Sequence, residues 1–246
     1  MSEQKTILPA EKQKADFVRD LFARIANSYD LMNDLITFGL HRLWKRESCR
    51  LLQLQKKDKV LDLATGTGDL AFCLEEISKK NQLELEITAV DFSKEMLAVA
   101  ERKKREKNSQ VNFLQADILS LGLPAGAFNK VIISYGLRNL KNYQAGLAEI
   151  WRVSAPKSRL VILDLSYPSS FFESLTKFYR FKLLPLVGKL LVRDREAYDY
   201  LVNSIYLYLN QVQLKELLEK NNWQEVKYKN LLGGLCVIHS AEKQAA

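Results

Sequence analysis

Two spacings of apolar residues alternate along the middle of the chain, and together they predict an α/β fold. Short apolar segments between residues 59 and 166 have the length and composition of buried strands, and the segments between them repeat apolar residues at helical spacing. The predicted strands are 59–65, 84–92, 111–117, 128–135 and 159–166, and the predicted helices are 69–80, 93–107 and 142–155. Strands that alternate with helices favour a Rossmann-like, mostly parallel sheet with helices on both faces, and such sheets bind ligands outside the carboxyl ends of their strands.

The amino-terminal part departs from this alternation. Residues 11–26 place apolar side chains on one helical face, and residues 27–30 break that helix. Residues 31–45 mix aromatic and polar residues with no single period. This part predicts either a helical layer packed on the sheet or a helical cap over a ligand.

The carboxyl-terminal part predicts a helix and a hairpin. Helix 211–221 precedes strand 223–232, a turn at Gly233 and Gly234, and strand 235–241. Antiparallel pairing of these two strands would complete a seven-stranded sheet. Residues 171–195 combine a broad apolar face with lysines and arginines, which is typical of buried insertion helices or of a hydrophobic gate that touches membrane.

We expect one domain over residues 1–246. Its predicted parts are an N-terminal helical cap (1–56), a nucleoside-binding core (57–167), acceptor and lid helices (168–209), and a closing helix and hairpin (210–246).

The strongest chemical signal follows the first predicted strand, where residues 64–71 read Ala-Thr-Gly-Thr-Gly-Asp-Leu-Ala. Gly66 and Gly68 lie at a strand-to-helix turn, where glycine permits backbone dihedrals closed to other residues and lets a ligand approach. The next strand ends at Asp91, at the position where nucleoside-binding folds place a carboxylate that accepts hydrogen bonds from ribose. This spacing fits both an NAD enzyme and an S-adenosylmethionine enzyme, and a plain packing turn is the alternative to both.

Composition narrows the class of protein. The 246 residues are 47% apolar, and 37 basic against 29 acidic residues give a net charge of +8, which permits attraction to anionic surfaces such as phospholipid. No nucleic-acid motif accompanies these charges, so we expect no nucleic-acid partner. Cys49, Cys73 and Cys236 form no CxxC pair, which favours a reducing compartment, and with only two histidines we expect no metal site. The polar amino terminus lacks the apolar stretch of a signal peptide, so we expect a cytoplasmic protein, soluble or peripheral.

Polar residues also follow two later strands. Asp117 and Ile118 end one of them, and in an S-adenosylmethionine site such a pair binds the adenine amino group and packs on the ring. The strand 128–135 runs directly into Gly-Leu-Arg-Asn, which places Arg138 and Asn139 above the cofactor and facing an acceptor. The alternative for Arg138 is an ordinary surface arginine on a loop.

Four blocks resemble the ubiquinone/menaquinone-biosynthesis C-methyltransferases over nearly the whole chain. They are 29–34 with 38–45, 60–64 with 66–69, 133–139, and 200–201 with 204–205. The glycine block is common to S-adenosylmethionine methyltransferases, whereas the first and third blocks are specific to this family. The resemblance decides for S-adenosylmethionine over NAD, and it implies the class I S-adenosylmethionine-dependent methyltransferase fold.

The resemblance implies methylation of a ring carbon of a polyprenylated quinol. The expected substrate is a demethylmenaquinol, with a ubiquinone precursor as the alternative. The implied cofactor contacts, beside the two glycines, are Thr67, Asp91, Asp117, Ile118 and Ser134. On the acceptor side the resemblance implies Arg138 and Asn139, with Tyr29, Asn33 and His41 as further candidates.

The chain departs from the family pattern in three places. Residues 155–158 read Ala-Pro-Lys-Ser where Lys-Pro-Gly-Gly is usual, and we expect a different turn there, remote from the chemistry. The other departures, at 192–194 and at 206 and 209, lie in the predicted acceptor lid. They bear on the type of quinone and its tail rather than on methyl transfer.

A mechanism follows from the chemistry of the expected substrate. A quinol carbon becomes nucleophilic as its phenolate forms, so we expect Arg138 to stabilise the phenolate and a water held by Asn139 or His41 to relay the proton. Other predicted partners are a second copy of the chain and an anionic membrane, contacted through 11–26 and 171–195. Two rival functions remain: a methyltransferase for a soluble phenolic metabolite, and a non-catalytic assembly protein with a relic fold.

Overall fold

Seven strands form one sheet in the computed structural model, which describes residues 11–166, 200, 203–205 and 207–245. They are β1 (Lys59–Leu63), β2 (Glu86–Asp91), β3 (Asn112–Gln115), β4 (Phe128–Ser134), β5 (Ser154–Leu165), β6 (Trp223–Leu231) and β7 (Cys236–Lys243). Their order is β3-β2-β1-β4-β5-β7-β6. The first five strands are parallel, and β7 runs antiparallel between β5 and β6. The predicted seven-stranded, mostly parallel sheet with an antiparallel hairpin is confirmed.

Seven α-helices surround this sheet in the described residues. They are α1 (Glu11–Ile25), α2 (Tyr29–Thr37), α3 (Leu40–Leu51), α4 (Asp69–Asn81), α5 (Lys94–Lys107), α6 (Tyr143–Val153) and α7 (Gln211–Lys220). Two clusters of buried apolar side chains, one for each face of the sheet, join strands and helices. The α5 helix begins as its sequence predicts, since the Ser93 hydroxyl accepts a hydrogen bond from the Met96 amide at 3.3 Å.

The order of the strands determines which edge of the sheet can bind a ligand. The strand β1 lies between β2 and β4, so the chain runs outward in one direction from β1 through β2 to β3 and then crosses back to β4 on the other side of β1. A crevice forms beyond the carboxyl ends of strands at such a switch point. The residues after β1, β2 and β4 therefore meet there.

Several predicted boundaries are wrong in detail. The strand β1 ends at Leu63 rather than at 65, because Ala64 takes a φ of 51° and turns the chain out of the sheet. The residues 155–158, expected to form a turn, instead lie inside β5, which begins directly after α6. Their pairing with β4 is irregular there, and Lys157 has a φ of 60°.

The amino-terminal helices divide between the two predicted arrangements. The break after α1 occupies 26–28, and Tyr29 already begins α2 rather than belonging to the break. Helix α3 packs against β5, as a layer on the sheet would, whereas α1 contacts α5 near the carboxyl ends of the strands. The cap is therefore made by α1 and α2.

The predicted gate at 171–195 and most of the predicted lid lie outside the described residues. The division of the chain into four parts stays a prediction. Within the described ranges, no helix combines the length and apolarity that crossing a bilayer requires.

Candidate functional site

A cavity that opens to solvent lies beyond the carboxyl ends of the central strands, and its volume is about 780 Å³ when the space at its mouth is included. Its walls come from the segments that follow β1 to β4 and from the cap helices. The lining residues are Val18, Phe22, Tyr29, Ala64, Gly66, Asp91, Phe92, Met96, Ala116, Asp117, Ile118, Leu119, Ser134, Tyr135, Gly136, Asn139, Leu140 and Lys141. Most of this lining is apolar, and its few polar groups converge from different strands, which is typical of a small-molecule site.

The two glycines of the turn have different reasons to be glycine. Both take positive φ, 58° at Gly66 and 82° at Gly68, so any other residue would be strained there. A Cβ on Gly68 would also lie 2.9 Å from the rings of Phe72 and Phe113. A Cβ on Gly66 would meet only the Tyr29 ring, at an ordinary contact distance of 3.8 Å, and Gly66 borders the cavity. Gly68 therefore serves close packing, and Gly66 leaves room for a ligand.

Asp91 ties the turn to the end of β2. Its Oδ2 accepts a hydrogen bond from the Gly66 amide at 2.8 Å, and its Oδ1 accepts one from the Ser93 amide at 2.9 Å. Burial raises the pKa of this carboxyl above its usual value, although the two amides favour its ionised form. A carboxylate has about four acceptor sites, and this residue lines the cavity, so Asp91 can still accept a ribose hydroxyl beside its backbone amides.

The adenine-side candidates lie on the same wall. Asp117 and Ile118 line the cavity, and the Asp117 Oδ1 accepts a hydrogen bond from the Leu119 amide at 2.9 Å. Ser134 also lines it, and its buried hydroxyl has no hydrogen-bond partner among the described residues. Such a hydroxyl is costly unless a ligand satisfies it, so these residues fit a polar nucleoside cofactor.

Thr67 is not among the lining residues. Only 1% of it is exposed, and its hydroxyl donates to the Asp30 Oδ1 at 2.6 Å. The other Asp30 oxygen accepts from the ammonium of Lys103 on α5. Thr67 thus links the glycine turn to cap helix α2, and its contact with the cofactor stays a prediction.

Arg138 is buried rather than exposed on a loop. Its Nη1 lies 2.6 Å from the Asp164 Oδ1 in β5 and 2.6 Å from the Tyr135 carbonyl oxygen. Burial alone would lower the pKa of Arg138, but the Asp164 carboxylate outweighs burial and raises the pKa above its usual value. The guanidinium therefore stays charged, and it is directed at Asp164 rather than lining the cavity.

Asn139 is the acceptor-side candidate that does line the cavity. Its side-chain amide donates to the Tyr135 carbonyl oxygen at 3.2 Å, and its Oδ1 accepts from the hydroxyl of Tyr200 at 3.1 Å. Tyr29 lies on the opposite, cap side of the same cavity. These contacts hold the Asn139 amide at the cavity wall.

His41 and Asn33 lie outside the cavity lining. Only 3% of His41 is exposed, and its Nδ1 is 2.8 Å from the Thr37 hydroxyl. Burial lowers the pKa of His41, so the ring is neutral at neutral pH. Its Nε2 is 3.8 Å from the Asp34 Oδ1, which places the ring in a polar cluster of the cap.

Sequence reasoning missed two buried carboxylates. Asp62 in β1 and Asp164 in β5 are 1% and 3% exposed, and each interrupts an otherwise apolar strand. A charged residue is rarely buried unless it has a specific partner, so its position within such a strand was a usable signal. Asp62 accepts the Thr65 hydroxyl at 2.6 Å, directly beneath the glycine turn.

Comparison with known proteins adds independent findings. Residues 9–243 match the ubiE/COQ5 methyltransferase family. The ubiquinone/menaquinone biosynthesis C-methyltransferase UbiE of Rickettsia bellii is 36% identical over 234 residues, covering 94% of each chain. The protein of the same name from Psychromonas ingrahamii is 37% identical over 238 residues, covering 95% of this chain and 93% of its own.

Solved structures share the fold at much lower identity. A SAM-dependent methyltransferase from Aquifex aeolicus aligns with a TM-score of 0.62 at 18% identity, covering 89% of this chain and 97% of its own. The [4+2]-cyclase SpnF aligns with a TM-score of 0.63 at 15% identity, covering 82% of this chain and 80% of its own. The fold therefore does not specify the reaction. The match over most of the sequence does specify the family, and this chain belongs to the ubiE/COQ5 methyltransferase family, with S-adenosylmethionine as its cofactor.

Proposed function

We propose that this protein methylates a ring carbon of a polyprenylated quinol, converting a demethylmenaquinol (2-polyprenyl-1,4-naphthoquinol) to menaquinol. The observation that carries the proposal is the shared cavity. The cavity is lined both by the cofactor candidates Gly66, Asp91 and Ser134 and by Asn139 with the cap side chains. The names of the relatives point to the same chemistry.

The second candidate is methylation of a 2-methoxy-6-polyprenyl-1,4-benzoquinol. It is retained because the relatives are named for both ubiquinone and menaquinone biosynthesis. The two acceptors share a reduced ring and a prenyl tail, and they differ in ring size and in the methoxy group.

The chemistry requires alignment more than activation of a leaving group. S-adenosylmethionine supplies a methyl group on a sulfonium, which leaves readily as a neutral thioether. The protein has to hold the acceptor carbon in line with that methyl group and exclude water. The apolar cap side chains Val18 and Phe22 suit the second task, because they close one side of the cavity.

The acceptor carbon has to be electron-rich, so the quinol form is the substrate. The Asn139 amide can orient a quinol hydroxyl or a water beside it, since it lies at the cavity wall. Arg138 supports the loop of residues 135–139 without lining the cavity. Its guanidinium and the Asn139 side-chain amide both donate to the Tyr135 carbonyl oxygen. We expect the charge of Arg138 to hold this loop in place through Asp164 and the Tyr135 carbonyl oxygen, and we expect Asn139 to contact the acceptor.

The direct test is methyl transfer by the purified protein. Incubation with S-adenosylmethionine and a reduced, short-chain prenylated naphthoquinol should yield a singly methylated quinol by mass spectrometry, whereas the oxidised quinone should give none. Asp91→Ala should lose most S-adenosylmethionine binding in calorimetry and the activity with it. Preference for the benzoquinol would select the second candidate.

Two outcomes would contradict the proposal. Equal turnover of a tailless quinol would favour a methyltransferase for soluble phenols. Absence of S-adenosylmethionine binding would indicate a non-catalytic protein. In cells, deletion should leave the demethylated quinone in lipid extracts.

Membrane contact is the second part of this proposal, because a prenylated quinol resides in the bilayer. Helix α2 and the residue that ends it expose three large apolar side chains: Leu31 is 56% exposed, Leu35 36%, and Phe38, directly after the helix, 69%. Leu31 and Leu35 are four residues apart and lie on one helical face, and Phe38 follows at the end of the same helix, so we expect these exposed side chains to enter the interfacial layer of a membrane.

Replacing all three by serine should weaken co-sedimentation with liposomes that contain anionic lipid and leave turnover of a detergent-solubilised quinol unchanged. The matched control is Val212→Ser, since Val212 is 51% exposed on α7. Unchanged co-sedimentation of the triple variant would show that this face is not the contact.

A further inference from the structure

Two of the three cysteines come together in the fold. Cys49 lies on α3 and Cys73 on α4, and no local motif links residues so far apart in sequence. Cys49 is buried in the apolar cluster on one face of the sheet, and Cys73 packs against the same cluster while remaining partly exposed. The fold therefore forms a pair of one partly exposed and one buried thiol, whereas the sequence showed only three scattered cysteines.

A neighbouring ion pair explains why the two thiols face each other. The Lys45 Nζ on α3 lies 2.6 Å from the Asp69 Oδ2 on α4. Cys49 follows Lys45 by four residues, and Cys73 follows Asp69 by four, so each thiol lies one helical turn beyond the ion pair on the same face. The ion pair joins the two helices, and the spacing places the two cysteines one turn further along the same interface.

The two thiols differ in reactivity. The interaction between the two thiols raises the pKa of Cys49 and lowers that of Cys73, and burial disfavours ionisation of both. Arg46 further favours the Cys73 thiolate, while Glu76 and Asp69 oppose it; Asp62 disfavours ionisation of Cys49, and Lys45 favours it. The thiolate is the nucleophile in thiol oxidation, so Cys73 is the attacking group and Cys49 the resolving one.

We propose that Cys49 and Cys73 form a redox-active dithiol, which a hydroperoxide converts to a disulfide that links helix α3 to helix α4. The Cys73 thiolate attacks the peroxide oxygen, taking it up as a sulfenic acid and releasing an alcohol or water. The Cys49 sulfur then attacks the Cys73 sulfur and expels water. Two electrons pass from the thiols to the peroxide, and both thiol hydrogens leave in the products.

The location gives the link a consequence. Helix α4 begins at Asp69, the residue after Gly68, so a bond to α3 would fix the start of the helix that the glycine turn leads into. We therefore expect oxidation to change S-adenosylmethionine affinity reversibly.

The test uses the full-length protein and hydrogen peroxide. Mass spectrometry should show loss of two hydrogens, a crosslinked peptide that joins residues 49 and 73, and reversal by dithiothreitol. Cys236 is the internal control, because it is fully buried beside Tyr135 and should remain a thiol. Calorimetry with S-adenosylmethionine before and after oxidation reads the effect on the cofactor site.

Single variants separate the two roles. Cys49→Ser should leave Cys73 as a sulfenic acid that a diketone probe traps, whereas Cys73→Ser should leave Cys49 unreacted. Over-oxidation of Cys73 without a link to Cys49 in the wild-type protein, or links only between two chains, would overturn the proposal. Failure of quinol methylation would not, since the readout is the bond itself.

Discussion

Replacing Asp164 by alanine is expected to lower the free energy of unfolding by about 3–5 kcal/mol. The Arg138–Asp164 pair is nearly inaccessible, with side chains 6% and 3% exposed. Asp164 accepts both the Arg138 guanidinium at 2.6 Å and the Arg138 amide at 3.2 Å. Its loss leaves a buried cation without its counter-ion, and desolvation of that charge is no longer offset. Urea denaturation of the wild-type and variant proteins measures the difference.

Three further variants isolate the cause. Asp164→Asn keeps a hydrogen-bond acceptor but not the charge, so its cost should be smaller. The double change Arg138→Met with Asp164→Leu should recover much of the loss, because it removes the buried cation as well. Glu225→Ala breaks an exposed pair with Lys227 and should be nearly neutral. Equal costs for Asp164→Ala and Glu225→Ala would contradict the role of burial.

The Asp164 variants also test the role of the loop of residues 135–139 beside the acceptor. Arg138 and Asn139 both donate to the Tyr135 carbonyl oxygen, and Tyr135 has a φ of 58°, an unusual conformation that needs support. At temperatures where Asp164→Asn stays folded, we expect lower kcat with little change in S-adenosylmethionine affinity. A change confined to cofactor affinity would place Arg138 on the cofactor side.

The strand and helix pattern was predictable because each element is long and regular. The alternation over 59–166 predicted the parallel sheet, and the glycine turn with Asp91 predicted where the cavity lies. The predicted ends of strands were wrong where a residue takes an unusual backbone conformation, as Ala64 does after β1. The spacing of apolar residues carries no information on the backbone dihedrals of a single residue.

The hydrogen-bond and ion-pair partners of the site residues were less predictable than the places of those residues in the fold. Asn139 lines the cavity as its place after β4 predicted, and Ser134, which the family resemblance implied, lines it too. Arg138, the neighbour of Asn139, is instead directed at Asp164. That partner lies on a different strand, and only the pairing of β4 with β5 brings the two together. The contact between Cys49 and Cys73 has the same origin, since helix packing rather than sequence spacing creates it.

The contribution of Asp62 to stability should fall as pH rises from about 4 to about 7, and Asp62→Asn should remove that contribution. Burial raises the pKa of Asp62 to about 7 from its usual value of 3.8, although the Thr65 hydroxyl and Lys45 favour its ionised form; Asp91 and Asp69 raise the pKa further. Below about pH 4 the carboxyl is protonated in both the folded and the unfolded states. Between about pH 4 and about pH 7 the unfolded chain releases this proton and the folded chain retains it, so the free energy of unfolding decreases.

The size of the effect follows from the shift in pKa. About three pKa units correspond to about 4 kcal/mol, so the difference in stability between Asp62→Asn and wild type should change by that order between pH 4 and pH 8. Denaturant titrations of both proteins at several pH values measure it, and groups such as His41 that titrate in both proteins cancel in the difference. Thr65→Val removes a donor to the ionised form and should extend the fall to higher pH. Parallel stability curves for wild type and Asp62→Asn would mean that Asp62 is ionised beneath the glycine turn throughout this range.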